Sequence, residues 1–140
     1  MIRRIKQYQP DILINNRMNG TRGGNKGPLA EDLKGDFLTP ECKLGPFNDK
    51  TPWESCMTVA DIPGTRWTGN WSYTSKAKVK PVEESIKFLI NNTVKDGNLL
   101  YNIGPTPLGT FVPEQANTFL AMGKWIAPYR EAIYGTRGGP

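Results

Sequence analysis

The stretch Pro81-Val-Glu-Glu-Ser-Ile-Lys-Phe-Leu-Ile-Asn-Asn-Thr-Val-Lys-Asp-Gly-Asn-Leu-Leu-Tyr-Asn-Ile103 carries a helix and a strand in one run. Val82, Ile86, Leu89, Ile90 and Val94 fall at i, i+4, i+7, i+8 and i+12, one stripe of a helix. Pro81 opens it and Gly97 stops it. Asn98 to Ile103 then reads as a short apolar strand. Downstream, Gly104 to Gly109 is a Pro/Gly loop. Pro113 opens a second helix carrying Ala116, Phe119, Leu120, Gly123, Ile126 and Ala127, which Pro128 is expected to end. Residues 132–136 are expected to form a last short strand. Upstream, Lys6 belongs to a helix end and Gln9-Pro10 to a turn. Ile12-Leu13-Ile14, apolar on both faces, suits a buried parallel strand. Trp53 to Val59 alternates, which predicts another strand. The segments 19–52 and 60–80 read as loops, the first with six Gly and four Pro. Strands alternating with helices predict an α/β fold with a parallel sheet.

Composition narrows the chemistry. The 140 residues make one domain or part of one, and 37% hydrophobic content is too high for a disordered chain. No apolar run approaches membrane-spanning length, so no membrane partner is expected. The opening Met1-Ile-Arg-Arg-Ile-Lys lacks a following apolar stretch and does not read as a secretory leader. The net charge of +5 is scattered. Its one cluster, Lys76, Lys78 and Lys80, reads as a solvated loop, and no nucleic-acid motif accompanies it. The chain has no histidine and two cysteines, Cys42 and Cys56. Histidine triads and histidine-ligated or zinc sites are therefore excluded within it, and no metal or cofactor is expected. One Cys42–Cys56 bridge is possible but not implied. Catalysis would fall to carboxylates, Lys, Tyr or Cys.

Five blocks occur in order: Asp11-Ile-Leu-Ile-Asn-Asn-Arg17, Gly35-Asp-Phe-Leu-Thr-Pro-Glu41, Pro52-Trp-Glu-Ser-Cys-Met-Thr58, Gly97-Asn-Leu-Leu-Tyr-Asn-Ile-Gly-Pro105 and Glu131-Ala-Ile-Tyr-Gly-Thr136. Together they resemble the α-L-fucosidases of glycoside hydrolase family 29. The resemblance implies a (β/α)8-like, TIM-type barrel, of which residues 1–140 would be the C-terminal portion, about half. It implies retaining hydrolysis of terminal α-L-fucosyl residues by an Asp nucleophile and a Glu acid/base. The nucleophile would sit on an earlier strand than any matched here.

On that resemblance Glu41 matches the acid/base position. Glycoside cleavage needs one carboxyl to protonate the leaving oxygen and another to attack or to activate water. The alternative for Glu41 is a solvated loop carboxylate. Glu54 is the competitor: it shares a strand face with Cys56 and Thr58, and a barrel interior would raise its pKa. Its alternative is a structural carboxylate paired with Arg17 or a lysine. Arg17 is the expected sugar contact, against a structural salt bridge. Trp71 is the expected platform for the apolar face of fucose, against core packing, which is the role expected of Trp53.

The blocks also depart from the family. Ser72 and Thr74 stand where Gly and Asn are usual. Leu108 replaces an Asp that would cap a turn, and Asp96 replaces a Gly. Two functions remain open: a fucosidase portion completed by a nucleophile from elsewhere (a further segment, a second chain, or Asp36 or Asp61 in an oligomer), or a non-catalytic, sugar-binding remnant. The expected partners are fucosylated glycans and further copies of the chain, because an incomplete barrel exposes sheet edges.

Overall fold

A computed structural model describes residues 1–19, 35–64 and 71–139. Parts of the two expected loops, residues 20–34 and 65–70, lie outside the described residues. The elements are α1 (Ile2–Tyr8), a 3-10 turn (Asn16–Asn19), β1 (Glu54–Thr58), β2 (Ala60–Asp61), β3 (Lys78–Val79), α2 (Val82–Thr93), β4 (Asn98–Asn102) and α3 (Pro113–Ile133).

β1 and β4 pair in parallel, Glu54 opposite Asn98 through Thr58 opposite Asn102. This is the expected parallel pair, joined by α2. The sheet extends past it through single bridges, all parallel: Leu38 with Trp53, Glu41 with Cys56, and Asn15 with Phe37. Residues 14–16, 36–42, β1 and β4 thus lie side by side in chain order. Pro40 removes a donor from the second of these, which keeps it an irregular ladder rather than a strand.

Four expectations are corrected. Ile12 to Ile14 is not a strand: Ile14 is buried, but Leu13 is 74% exposed, so the run has one buried face at most. Residues 36–42 border the sheet instead of forming only loop. α3 reads through Pro128 to Ile133, so no strand follows at 132–136. Pro128 forfeits one helix hydrogen bond, and the Trp125 and Tyr129 rings packed 5.1 Å apart span that point. Lastly, a small antiparallel ribbon, β2 with β3, interrupts the expected 60–80 loop. Lys80, just after it, is buried rather than solvated. Its ammonium donates to Thr58 O at 2.8 Å and pairs with Asp61 at 2.6 Å.

α2 and α3 pack together, and α2 lies against β4. Phe88, Tyr101 and Phe119 form the contact, with ring centroids 6.3 and 5.6 Å apart. The fully buried α2 positions are polar. Ser85 shares a 2.7 Å hydrogen bond with the Tyr101 hydroxyl, and Asn92 donates to Phe88 O. The apolar stripe beside them is only half-buried, and Val94 and Leu120 are exposed. The indole of Trp53, 3% exposed, is the largest buried ring and packs against Gly97, as expected of it. A Cβ at Gly97 would fall 2.4 Å from that indole. At 21 residues α3 has the length of a membrane helix, but no described helix is both long and apolar enough to cross one.

Candidate active site

In a parallel sheet every strand's carboxyl end meets the same edge. Here that edge gathers the charged groups. Arg17 follows residues 14–16 on the 3-10 turn, and Glu41 lies at the end of 36–42. The Arg17 guanidinium makes three bonds. Nε donates to Thr39 Oγ1 at 2.8 Å, Nη2 to Thr39 O at 3.1 Å, and Nη1 to Glu41 Oε2 at 2.7 Å. Thr39 is itself fixed, its N–H and hydroxyl both donating to Asn16 Oδ1. Asn16 and Thr39 are buried, so the arginine is held from beneath by satisfied polar groups. Glu41 is held through one oxygen with its side chain 40% exposed. Its other oxygen, Oε1, accepts no hydrogen bond from a described residue.

Glu54 is one strand away. Its N–H donates to Leu38 O, and its side chain is half-buried on β1. No ion pair among the described residues involves it, so it is not the partner of Arg17. Strand alternation puts it on the face of Cys56, the bridge partner of Glu41. Burial pushes the Cys56 thiol up; the charges bearing on it are Arg17, Glu54, Glu41 and Cys42. The Cys42 thiol is also pushed up by burial, with Glu41, Lys80, Asp61 and Arg17 around it. Both cysteines are free thiols. Arg17, Glu41 and Glu54 therefore share one neighbourhood around the Cys56 sulfur, opposite the face that α2 covers.

Trp71 stands at the same edge but over β4. Its carbonyl accepts from Asn102 Nδ2 at 3.1 Å, and its ring is half-exposed rather than packed in the core. The two other carboxylates considered are already engaged. Asp36 takes Lys6 at 2.7 Å and the Ile14 N–H at 2.8 Å, and the Lys6 hydrogen bond holds it below the ordinary carboxylate range. It also sits five residues before Glu41 on an extended segment, about 15 Å along it. Asp61 takes Lys80.

The residues that sequence reading passed over are Asn16, Thr39 and Lys80. Their signal was available. Asn16 and Thr39 are polar positions inside the quoted blocks, and Lys80 closes the lysine cluster beside Asp61 only after the ribbon folds back.

Comparison with known proteins gives one direction. A family model described as alpha-L-fucosidase matches residues 1–131. Human plasma alpha-L-fucosidase is 36% identical over 161 aligned positions, covering 94% of this chain and 33% of that protein. Among solved structures, alpha-L-fucosidase isoenzyme 1 from Paenibacillus thiaminolyticus superposes with a TM-score of 0.81 at 28% identity, over 99% of this chain and 32% of that one. A glycoside hydrolase family 29 alpha-L-fucosidase from Bacteroides thetaiotaomicron gives a TM-score of 0.76 at 26% identity, over 98% and 32%. The same superposition quality, at 25% identity, holds for a covalent intermediate of such an enzyme, trapped with 2-fluoro-fucosyl fluoride in a glutamate-to-glutamine variant. The chain spans about a third of the length of these relatives.

Proposed function

This chain belongs to the alpha-L-fucosidase family, and from that premise we propose that it is the C-terminal part of a TIM-type catalytic barrel that hydrolyses terminal α-L-fucosides with retention. Glu41 is the acid/base. In the first step its carboxylic acid gives a proton to the glycosidic oxygen as the C–O bond breaks, while an aspartate attacks the anomeric carbon and forms a glycosyl ester. In the second step the Glu41 carboxylate takes a proton from water. The oxygen of that water displaces the aspartate and releases L-fucose.

The observation that carries this is the Arg17–Glu41 pair at the carboxyl edge of a parallel sheet, where such folds build their sites. One oxygen of Glu41 is positioned and the other is open to a ligand. The covalent intermediate trapped in a Bacteroides relative agrees with a retaining path. Arg17 contacts sugar oxygens, and the half-exposed Trp71 ring takes an apolar sugar face. Glu54 is the second choice for the acid. The attacking carboxylate comes from outside these 140 residues, because retaining chemistry needs carboxyls about 5 Å apart and Asp36 is too far along the chain.

The exposed apolar residues Leu13 and Leu100, and the β4 edge without a strand partner among the described residues, support self-association. The chain by itself is expected to elute as an oligomer in light-scattering chromatography. A stable monomer at micromolar concentration would contradict that part of the reading.

The activity test uses two substrates, 4-nitrophenyl α-L-fucoside and an alkyl fucoside, with protein that contains this chain and its nucleophile. Glu41→Gln should nearly abolish alkyl fucoside cleavage. It should slow the nitrophenyl substrate less in the first step, because that leaving group needs little protonation. Loss of activity in Glu54→Gln with Glu41→Gln active would move the acid to Glu54. No activity in any form would leave the sugar-binding remnant.

A further inference from the structure

A second cleft opens at the same edge of the sheet. Its volume is about 740 Å³, within the range of small-ligand pockets. One wall is the β3 strand of the ribbon; the other is the loop from Thr106 to Val112 and the first turn of α3. Trp71 connects it to the candidate active site: the chain passes from Trp71, bonded to Asn102, directly to Tyr73 on the cleft rim. The ribbon connects it a second time, since Lys78 pairs with Asp61, and Asp61 bears on Cys42 beside Glu41.

The lining has the chemistry of a sugar site. Tyr73 and Phe111 are large rings left 39% and 59% exposed. Phe111 follows a turn closed by Thr106 and Thr110, whose hydroxyls meet at 2.8 Å and whose backbones pair. The ring is thus presented from a stiff support. At the base lies Gln115, only 2% exposed, whose Oε1 accepts the Gly104 N–H at 3.1 Å. That bond fixes which end of the amide faces Gly104, because an NH2 could not accept it. The NH2 donates to no described residue, and Gln115 lines the cleft. A buried donor without a partner costs free energy until a ligand acceptor meets it. Lys78 and Glu114 stand on the rim with opposite charges, which favours a neutral ligand over an ion.

We propose that this cleft is the subsite for the leaving group, binding one or two neutral pyranose rings of a fucosylated glycan between Tyr73 and Phe111, with a hydroxyl accepting from Gln115 Nε2. The proposal rests on the fucosidase reading and adds the acceptor sugar to it.

The test is an NMR titration of the chain with methyl β-lactoside and, separately, with L-fucose. The lactoside should shift Gly104, Phe111 and Gln115 amides. Phe111→Ala and Tyr73→Ala, whose rings are too exposed to carry the fold, should each weaken it about tenfold and leave fucose binding unchanged. Arg17→Met should weaken fucose and spare the lactoside. Fucose binding without lactoside binding up to about 10 mM overturns the subsite and leaves the fucosidase reading intact. Lactoside binding that Arg17→Met removes, or that survives both aromatic variants, also overturns it. Lactoside binding with no fucose binding overturns the fucosidase reading and, with it, the leaving-group assignment. A cleft that takes an apolar dye but not the lactoside overturns the sugar chemistry.

Discussion

Two arginine–carboxylate pairs stand at opposite ends of one sheet. At the carboxyl end Arg17 touches one oxygen of Glu41 and leaves that side chain half-exposed. At the amino end Arg137 grips both oxygens of Asp96, with Nε to Oδ1 at 2.7 Å, and the Gly138 N–H adds a third bond at 2.8 Å. Asp96 has 7% side-chain exposure, and the Arg137 hydrogen bonds hold its carboxyl down at about 2. Gly138 is needed there, because a Cβ would meet Asp96 N at 2.2 Å. The same two residue types thus do different things. A carboxylate with all its lone pairs claimed is a clamp, here tying the end of the chain to the α2–β4 turn. A carboxylate with one oxygen free can move a proton.

The largest effect should separate the two ends by activity. In protein competent for fucoside hydrolysis, Glu41→Gln is expected to lower kcat on an alkyl fucoside by about 10²–10⁴-fold, while Asp96→Asn leaves it unchanged. Equal losses from both would erase the distinction. The next is a test of the amino end as scaffold. Trp53→Ala empties the space between Gly45 and Gly97 and should cost about 3–5 kcal/mol, read by urea denaturation of the chain.

A smaller effect probes how Arg17 is held. Arg17→Lys keeps the charge but loses the fork onto Thr39, so stability should fall by about 1 kcal/mol and L-fucose affinity should fall with it. Unchanged fucose affinity would make Arg17 purely structural.

The smallest is the clamp itself, since Arg137 is largely in water and such pairs contribute little. Its mark is a slope. The Asp96 carboxyl titrates at 3.8 when unfolded and about 2 when folded. Its contribution is therefore complete above about pH 4 and is lost as pH falls toward 2. The thermal midpoint of Asp96→Asn should lie below that of the parent at neutral pH and converge with it near pH 2. Parallel curves throughout would deny the clamp.

How much of this was legible depends on the range of the interaction. The α2 stripe and its Gly97 stop are local, and both elements of the opening stretch fold where the pattern places them. Asp96 shows the same logic in reverse. Its φ of +65 explains why glycine suits that position, and why an aspartate, which tolerates the left-handed region, can replace it. The Leu108 position lost its Asx cap, yet the turn is closed by Thr106 and Thr110 and leaves Leu108 exposed. The failures came from tertiary context. Ile12-Leu13-Ile14 looked like a buried strand because composition cannot say whether a neighbouring layer covers Leu13. Pro128 was expected to end α3, but one missing hydrogen bond does not stop a helix whose other turns still form.

The candidate site divides the same way. Its members were visible as blocks, since Arg17, Glu41, Glu54 and Trp71 stand within or beside them. Their relations were not visible. Arg17 reaches Glu41 across 24 residues, and Asn16 supports Thr39 across 23.

The amino-acid order alone determined the α/β alternation, the parallel pairing of two strands through α2, and the kind of carboxylate chemistry open to a chain without histidine. Those follow from periodicity and composition, which need no partner in space. Only the folded chain decided that residues 36–42 line the sheet, that Arg17 takes Glu41 and leaves Glu54 without it, and that Lys80 is buried. Each of those choices is a long-range pairing, and the free energy that selects it exists only once distant segments meet.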